Sequence, residues 1–129
     1  SGTNAIIRTV ASKFNLTASQ AFHLLLIPFD GIPISSLANK LGLDNSTLTR
    51  NIQKLEKLDL VVRRADSYDR RVQRVVLTKN GTSILTSLEN HLDEINCAII
   101  DQIDLDTQEN LISVLEKLSW SLGCVREKY

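Results

Sequence analysis

Apolar residues recur along this chain at spacings of three and four, which predicts a string of amphipathic helices with one interruption. The clearest repeat is Leu48, Ile52 and Leu55, between Asp44 and Lys57. At about 100° per residue these three share one narrow face. The opposite face carries Ser46, Arg50, Gln53 and Lys57, with Thr47, Thr49 and Lys54 on its shoulders. Asp44 precedes the run and is suited to cap it, because its carboxylate can accept a free amide of the first turn. Upstream, Ser35 to Leu41 reads as a short helix capped by Ser35, and Gly42 follows where a sharp turn needs left-handed backbone.

The interruption lies downstream. Leu60 to Arg64 and Arg74 to Leu77 are β-branched or apolar runs of strand length, and the polar stretch Ala65 to Gln73 between them holds Asp69, Arg70 and Arg71. A minimal strand at Ile32 to Ile34 is placed to join that ribbon. Elsewhere the helical pattern resumes. Ala5 to Phe14 is predicted as a short helix with Ala5, Ile6, Val10 and Phe14 on one side. Thr17 and Gln20 form a capping box for a second helix, which must end by Ile27 because Pro28 follows. Thr78 caps a long helix from Lys79 to about Asp101, whose Leu85, Leu88, Leu92, Ile95 and Ile99 make a heptad-like seam. Asp106 and Glu109 are read as the capping pair of a last helix carrying Leu111, Leu115, Leu118 and Leu122.

The elements add up to a mainly α fold with a small antiparallel β-ribbon. A short helix, a Gly-containing turn and an amphipathic second helix make a helix-turn-helix, and the ribbon with its charged tip makes the wing. In such a motif the second helix enters the major groove by its N-terminal residues. Ser46, Thr47, Thr49, Arg50 and Gln53 are therefore the candidates for base edges or nearby phosphates, with Lys54 and Lys57 as phosphate partners. Arg50 has the fork to read guanine. Arginines on a protruding loop suit a minor groove, where negative potential is focused. Asp69 could hold one of them in place by a bidentate pair. Taken singly, a solvated polar face and an ordinary surface ion pair would explain the same residues.

Charge strengthens the case through its distribution. The 129 residues carry no formal net charge, which argues against a nucleic-acid binder. Yet the stretch from Lys40 to Lys79 holds ten cations and five anions, a net +5, leaving −5 for the remainder. A basic reading head on an acidic body can meet phosphates locally. Hydrophobic content of 43% is that of a globular domain, and no apolar run reaches membrane-spanning length. No nucleophile–base pair, metal cluster or phosphate loop suggests an enzyme, a metal or a cofactor. Cys97 and Cys124 stand alone beside apolar helical stretches and read as buried thiols. His23, among leucines, reads as a core-edge histidine; Phe22 and Trp120 could line a pocket but read more readily as core aromatics. The chain contains no methionine, which leaves open that residues 1–4 are extraneous and that a native N-terminal segment is missing.

The stretch from Leu16 to about Leu122 resembles the MarR family of bacterial and archaeal regulators. The matching pieces are LTASQ, SSLANKLGLDNSTLTRNIQKLEKLDLVVR and DRRVQRVVLTKNG. The most specific is Asp69-x-Arg71 followed by a strand and Leu77-Thr78-x-x-Gly81. The resemblance implies one domain over 1–129, a winged core at about 17–78, and dimerisation helices at about 4–14 and 79–124. It implies that Arg71 enters the minor groove with Asp69 supporting the wing. It further implies a homodimer joined through Leu85, Leu88, Leu92, Ile95, Leu111, Leu115 and Leu118. Double-stranded DNA with a near-palindromic site is the implied partner, a small aromatic molecule the implied effector, and repression the commoner output. The implied place is the cytoplasm, at the nucleoid when bound, with no membrane partner. No cysteine precedes Cys97, so the family's first-helix peroxide sensor does not carry over. A winged-helix protein-interaction module without DNA binding is the alternative.

Overall fold

The computed structural model describes residues 2–127. In chain order the elements are α1 (Gly2–Ser12), α2 (Ala18–Leu25), β1 (Ile32–Pro33), α3 (Ile34–Leu41), α4 (Asn45–Lys57), β2 (Val61–Ala65), β3 (Gln73–Leu77), α5 (Lys79–Ile100) and α6 (Leu105–Arg126). Six helices and a three-stranded antiparallel sheet, ordered β1-β3-β2, make a winged helix. Two compact units divide the chain after Leu92.

In the first unit the helical periodicity is realised where it was strongest. Leu48, Ile52 and Leu55 are each fully sealed, as are Leu24, Leu37 and Val75. Burying side chains of this size contributes roughly 1.5–3 kcal/mol each, so the inward stripe of α4 fixes which of its faces is left outside. The sheet closes over the same core. β3 is central, with Val75 opposite both Ile32 of β1 and Arg63 of β2.

Local chemistry sets most boundaries. Thr17 and Gln20 form the reciprocal capping box that opens α2. Asp44 caps α4. Gly42 ends α3 at φ 65°, and a Cβ there would meet nothing within 4 Å, so backbone handedness alone calls for glycine. Gly81 answers a different need. In the first turn of α5 a Cβ would overlap the Leu60 carbonyl. Thr78 completes that corner: its Oγ1 accepts from Gly81 N at 2.9 Å and donates to the Asp59 carbonyl at 2.6 Å, while Thr78 N donates to Leu60 O at 3.0 Å. The Leu-Thr-x-x-Gly sequence is thus the weld between the sheet, the end of α4 and the start of α5.

Some expectations are corrected. α1 spans Gly2–Ser12 rather than 5–14; the chain turns at Asn15, whose φ is 56°. Val10 and Ala11 are its sealed positions, and Phe14 packs edge-on against His91. Ser35 is no cap: α3 leaves β1 directly through Pro33, with no side-chain cap bond, because strand pairing fixes where the helix begins. Asp106 is not the cap of α6. Asp104 is, accepting from Thr107 N at 2.9 Å and Thr107 Oγ1 at 2.6 Å. Cys97 is exposed and Cys124 half-buried, so neither is a sealed thiol. Phe22 is 41% and Trp120 74% exposed, so neither belongs to the core of this chain.

The second unit is apolar on its outside. Leu111, Leu115, Leu118 and Leu122 are 43–61% exposed, and no residue of α6 is buried. Leu88 of α5, by contrast, is sealed within its own chain. No described helix is long and apolar enough to cross a membrane.

Candidate nucleic-acid interface

The inward stripe of α4 leaves Asn45, Ser46, Arg50, Gln53, Lys54 and Lys57 exposed, with Thr47 and Thr49 half-buried. Its first turn is organised by Asp44. Oδ1 accepts from Thr47 N at 2.8 Å and from Ser46 Oγ at 2.5 Å, and Oδ2 accepts from Thr47 Oγ1 at 2.6 Å. These bonds, the Ser46 hydroxyl foremost, hold the Asp44 carboxyl far below the usual carboxylate range. They also commit the hydroxyl protons. Thr49 Oγ1 likewise donates to Asn45 O at 2.7 Å. Toward an outside partner the three hydroxyls therefore present acceptor lone pairs, and the side-chain donors on this face are Asn45, Arg50, Gln53, Lys54 and Lys57.

The inner edge of α4 carries one polar link. His23, 3% exposed on α2, lies with Nδ1 2.5 Å from Ser19 O and Nε2 3.2 Å from Asn51 Nδ2. A carbonyl only accepts, so Nδ1 carries the hydrogen and Nε2 accepts from the Asn51 amide. This pair ties α2 to α4 and makes His23 a satisfied structural histidine. At the other end of the helix, Glu56 holds Arg63 of β2 through Oε1–Nε at 3.0 Å and Oε2–Nη2 at 2.9 Å. The C-terminal turn of α4 and strand β2 are therefore braced together.

On the wing, Asp69 and Arg71 meet as the motif implies. Arg71 Nε donates to Oδ1 and Nη2 to Oδ2, both at 3.0 Å, and Arg71 N also donates to Oδ1. The guanidinium bonds hold the Asp69 carboxyl below its usual range. The Arg71 side chain is nevertheless 90% exposed, and its Nη1 has no hydrogen-bond partner among the described residues. Arg70 is exposed beside it.

Of the cations in the basic segment, Arg63, Arg71 and Arg74 form ion pairs with Glu56, Asp69 and Asp66. Lys40, Arg50, Lys54, Lys57, Arg64, Arg70 and Lys79 are exposed with no ion-pair partner among the described residues. Asn45 and Arg64 were missed by the sequence reading. Asn45 directly follows the cap, and Arg64 sits opposite Arg74 at the tip end of β2, so both signals were local. The Asp66–Arg74–Gly31 link had no such signal, because Arg74 lies 8 and 43 residues from its two acceptors. The described residues hold no group of three metal-ligating side chains.

Residues 16–72 match the model of the MarR family. Similar solved structures share the fold. The crystal structure of MarR is 21% identical with a TM-score of 0.81, the match covering 99% of this chain and 88% of that one. A MarR transcriptional regulator from Methanosarcina mazei Go1 is 25% identical with a TM-score of 0.77, over 94% and 87% of the two chains. S. aureus MepR in a DNA complex is 22% identical with a TM-score of 0.71, over 89% of each chain. The same protein bound to ethidium bromide is 23% identical with a TM-score of 0.67, over 90% and 85%.

Proposed function

We propose, from the match of residues 16–72 to the MarR family model, that this chain is a sequence-specific transcriptional regulator that binds duplex DNA. In this reading it acts as a homodimer on a near-palindromic operator, as a ligand-responsive repressor. The observation that carries it is the pairing of two exposed, pre-set recognition parts. One is a helix whose sealed stripe aims Arg50 and Gln53 outward; the other is a wing whose Arg71 is exposed yet held by Asp69.

The residues divide by reach. Ser46, Thr47 and Thr49 offer acceptors to base amino groups, Arg50 and Gln53 read base edges, and Lys54 and Arg70 meet phosphates. Arg71 enters the minor groove. The exposed leucine row of α6 calls for a cover, which a second copy of the chain supplies. Together with α5 it forms the dimer interface. MepR's complexes with DNA and with ethidium bromide support a DNA partner and a flat aromatic effector. An open cleft of about 490 Å³ beside the exposed Phe29 offers such a molecule room.

The test is a titration of labelled duplexes at several salt concentrations, with the wild type and with Arg50→Ala/Gln53→Ala. Salt-sensitive binding that loses sequence preference in the variant is the expected result. No duplex binding at any salt would leave the winged helix as a protein-interaction module.

A further inference from the structure

Arg74 lies in the most basic stretch of the chain, but its charge is turned inward. Its side chain is 26% exposed. Nη1 donates to Asp66 Oδ2 at 3.0 Å, and Nη2 to Gly31 O at 2.7 Å and Asp30 O at 3.4 Å. One guanidinium thus spans from the wing to the turn before β1, 43 residues away in sequence.

Asp66 passes that anchorage outward. Its other oxygen, Oδ1, accepts from Tyr68 N at 2.8 Å and Asp69 N at 3.1 Å. Asp66 N donates to Val72 O and Val72 N to Asp69 O, each at 2.9 Å. The wing tip is therefore a closed loop pinned at one carboxylate, and that carboxylate is 12% exposed. Asp69, whose backbone is held here, is the residue that grips Arg71. An unbroken series of bonds runs from Gly31 through Arg74, Asp66 and Asp69 to the Arg71 guanidinium.

We infer that Arg74 and Asp66 are positioning residues that fix where the wing carries Arg71, rather than contacts to DNA. This rests on the DNA-binding reading above and deepens it. A freely hinged wing would have to be ordered on each encounter, and the ordering would subtract from affinity. A wing anchored to β1 at one end and braced by Glu56–Arg63 at the other arrives already set. Arginine is needed at 74 for its fork: two amines aimed at two acceptors on different elements, which a lysine point charge cannot serve together.

Arg74→Lys, Asp66→Asn, Arg71→Ala and the double variant Arg71→Ala/Arg74→Lys test this on a duplex that the wild type binds. Arg74→Lys preserves charge, so the slope of affinity against salt should stay that of the wild type while affinity falls about fivefold, the scale of coupling between linked residues. In the Arg71→Ala background the same lysine should cost nothing further. Exchange of the Tyr68, Asp69 and Val72 amides in the free protein should quicken in Arg74→Lys and Asp66→Asn, with the thermal midpoint of the core little changed. Wild-type affinity in Arg74→Lys, or an equal loss with and without Arg71, would overturn the inference and make Arg74 a plain cation. A wild type that binds no duplex at all would instead overturn the function on which it rests.

Discussion

Asp69 grips Arg71 by two parallel hydrogen bonds of 3.0 Å, while the arginine side chain stays 90% exposed. The acid does two opposed things. It fixes the direction of the guanidinium, and it cancels that charge toward a polyanion. The two effects separate by mutation. Arg71→Ala should weaken duplex binding and flatten the salt slope by about 0.9, the share of one phosphate-level cation. Asp69→Asn adds net positive charge but frees the fork, so binding should weaken while the slope holds or steepens. Tighter binding by Asp69→Asn would mean that charge, and not orientation, is what the wing supplies.

The wing should be insensitive to pH across the neutral range. Asp66 is held below the usual carboxylate range by the Tyr68 and Asp69 amides and then by Arg74, and Asp69 is held down by Arg71. For a group whose folded value is depressed, the contribution to stability is full above the unfolded value, near about 4. It is lost as pH falls through the lower folded value. Amide exchange in the wing, corrected for its intrinsic pH dependence, should therefore keep constant protection from about pH 8 to pH 5 and loosen only below about pH 4. Loosening already at neutral pH would assign control of the wing to some other group.

Two glycines should respond differently to alanine. Gly81 lies in a helical turn, where alanine is otherwise favoured, but its Cβ would strike the Leu60 carbonyl. Overpacking of this kind typically costs about 1–3 kcal/mol. Backbone strain at Gly42, with φ 65° and open surroundings, costs about 1–2 kcal/mol in alanine and less in asparagine. Urea unfolding should rank Gly42→Asn above Gly42→Ala, and show for Gly81→Ala a loss that no side-chain choice relieves. A neutral Gly81→Ala would contradict the weld between α5 and the end of α4.

What the sequence made legible was local. The stripe of α4, the Asp44 cap, the Thr17 box and the turn at Gly42 each depend on residues within four positions. The same rule, read more closely, would have found the cap of α6: Asp104-x-x-Thr107 repeats the arrangement of Asp44-x-x-Thr47. Long-range effects were hidden. α3 starts where β1 pairs with β3, so Ser35, a good cap by type, lies one residue inside the helix. Arg74 counted only as one more cation of the basic segment, because its acceptors, Asp66 and Gly31, come together only in the fold. Cys97 was read as buried from its apolar neighbours, whereas in α5 and α6 such neighbours lie on faces that a single chain leaves open, where Trp120 also stands exposed.

That open row gives the dimer prediction. Leu115→Glu with Leu118→Glu places two charges beside Leu111 and Leu122, in the row proposed to meet a second copy. Light scattering after size exclusion should change from dimer to monomer, with helical content kept. Duplex affinity should fall about tenfold or more, since the second head no longer adds its effective concentration. A wild type that is monomeric at micromolar concentration would remove the leucine row from the account.

The most direct measurement is selection of bound duplexes from a random pool, run in parallel with the wild type, Arg50→Ala, Gln53→Ala and Arg71→Ala. The account predicts an enriched inverted repeat whose half-site centres lie about 10 base pairs, one helical turn, apart. It predicts that Arg50→Ala enriches the same repeat with relaxed preference at one symmetric pair of positions, a cost of about 1–3 kcal/mol there. A pool that emerges without any preferred sequence, or a motif unchanged by Arg50→Ala, Gln53→Ala and Arg71→Ala alike, would contradict reading by α4 and the wing.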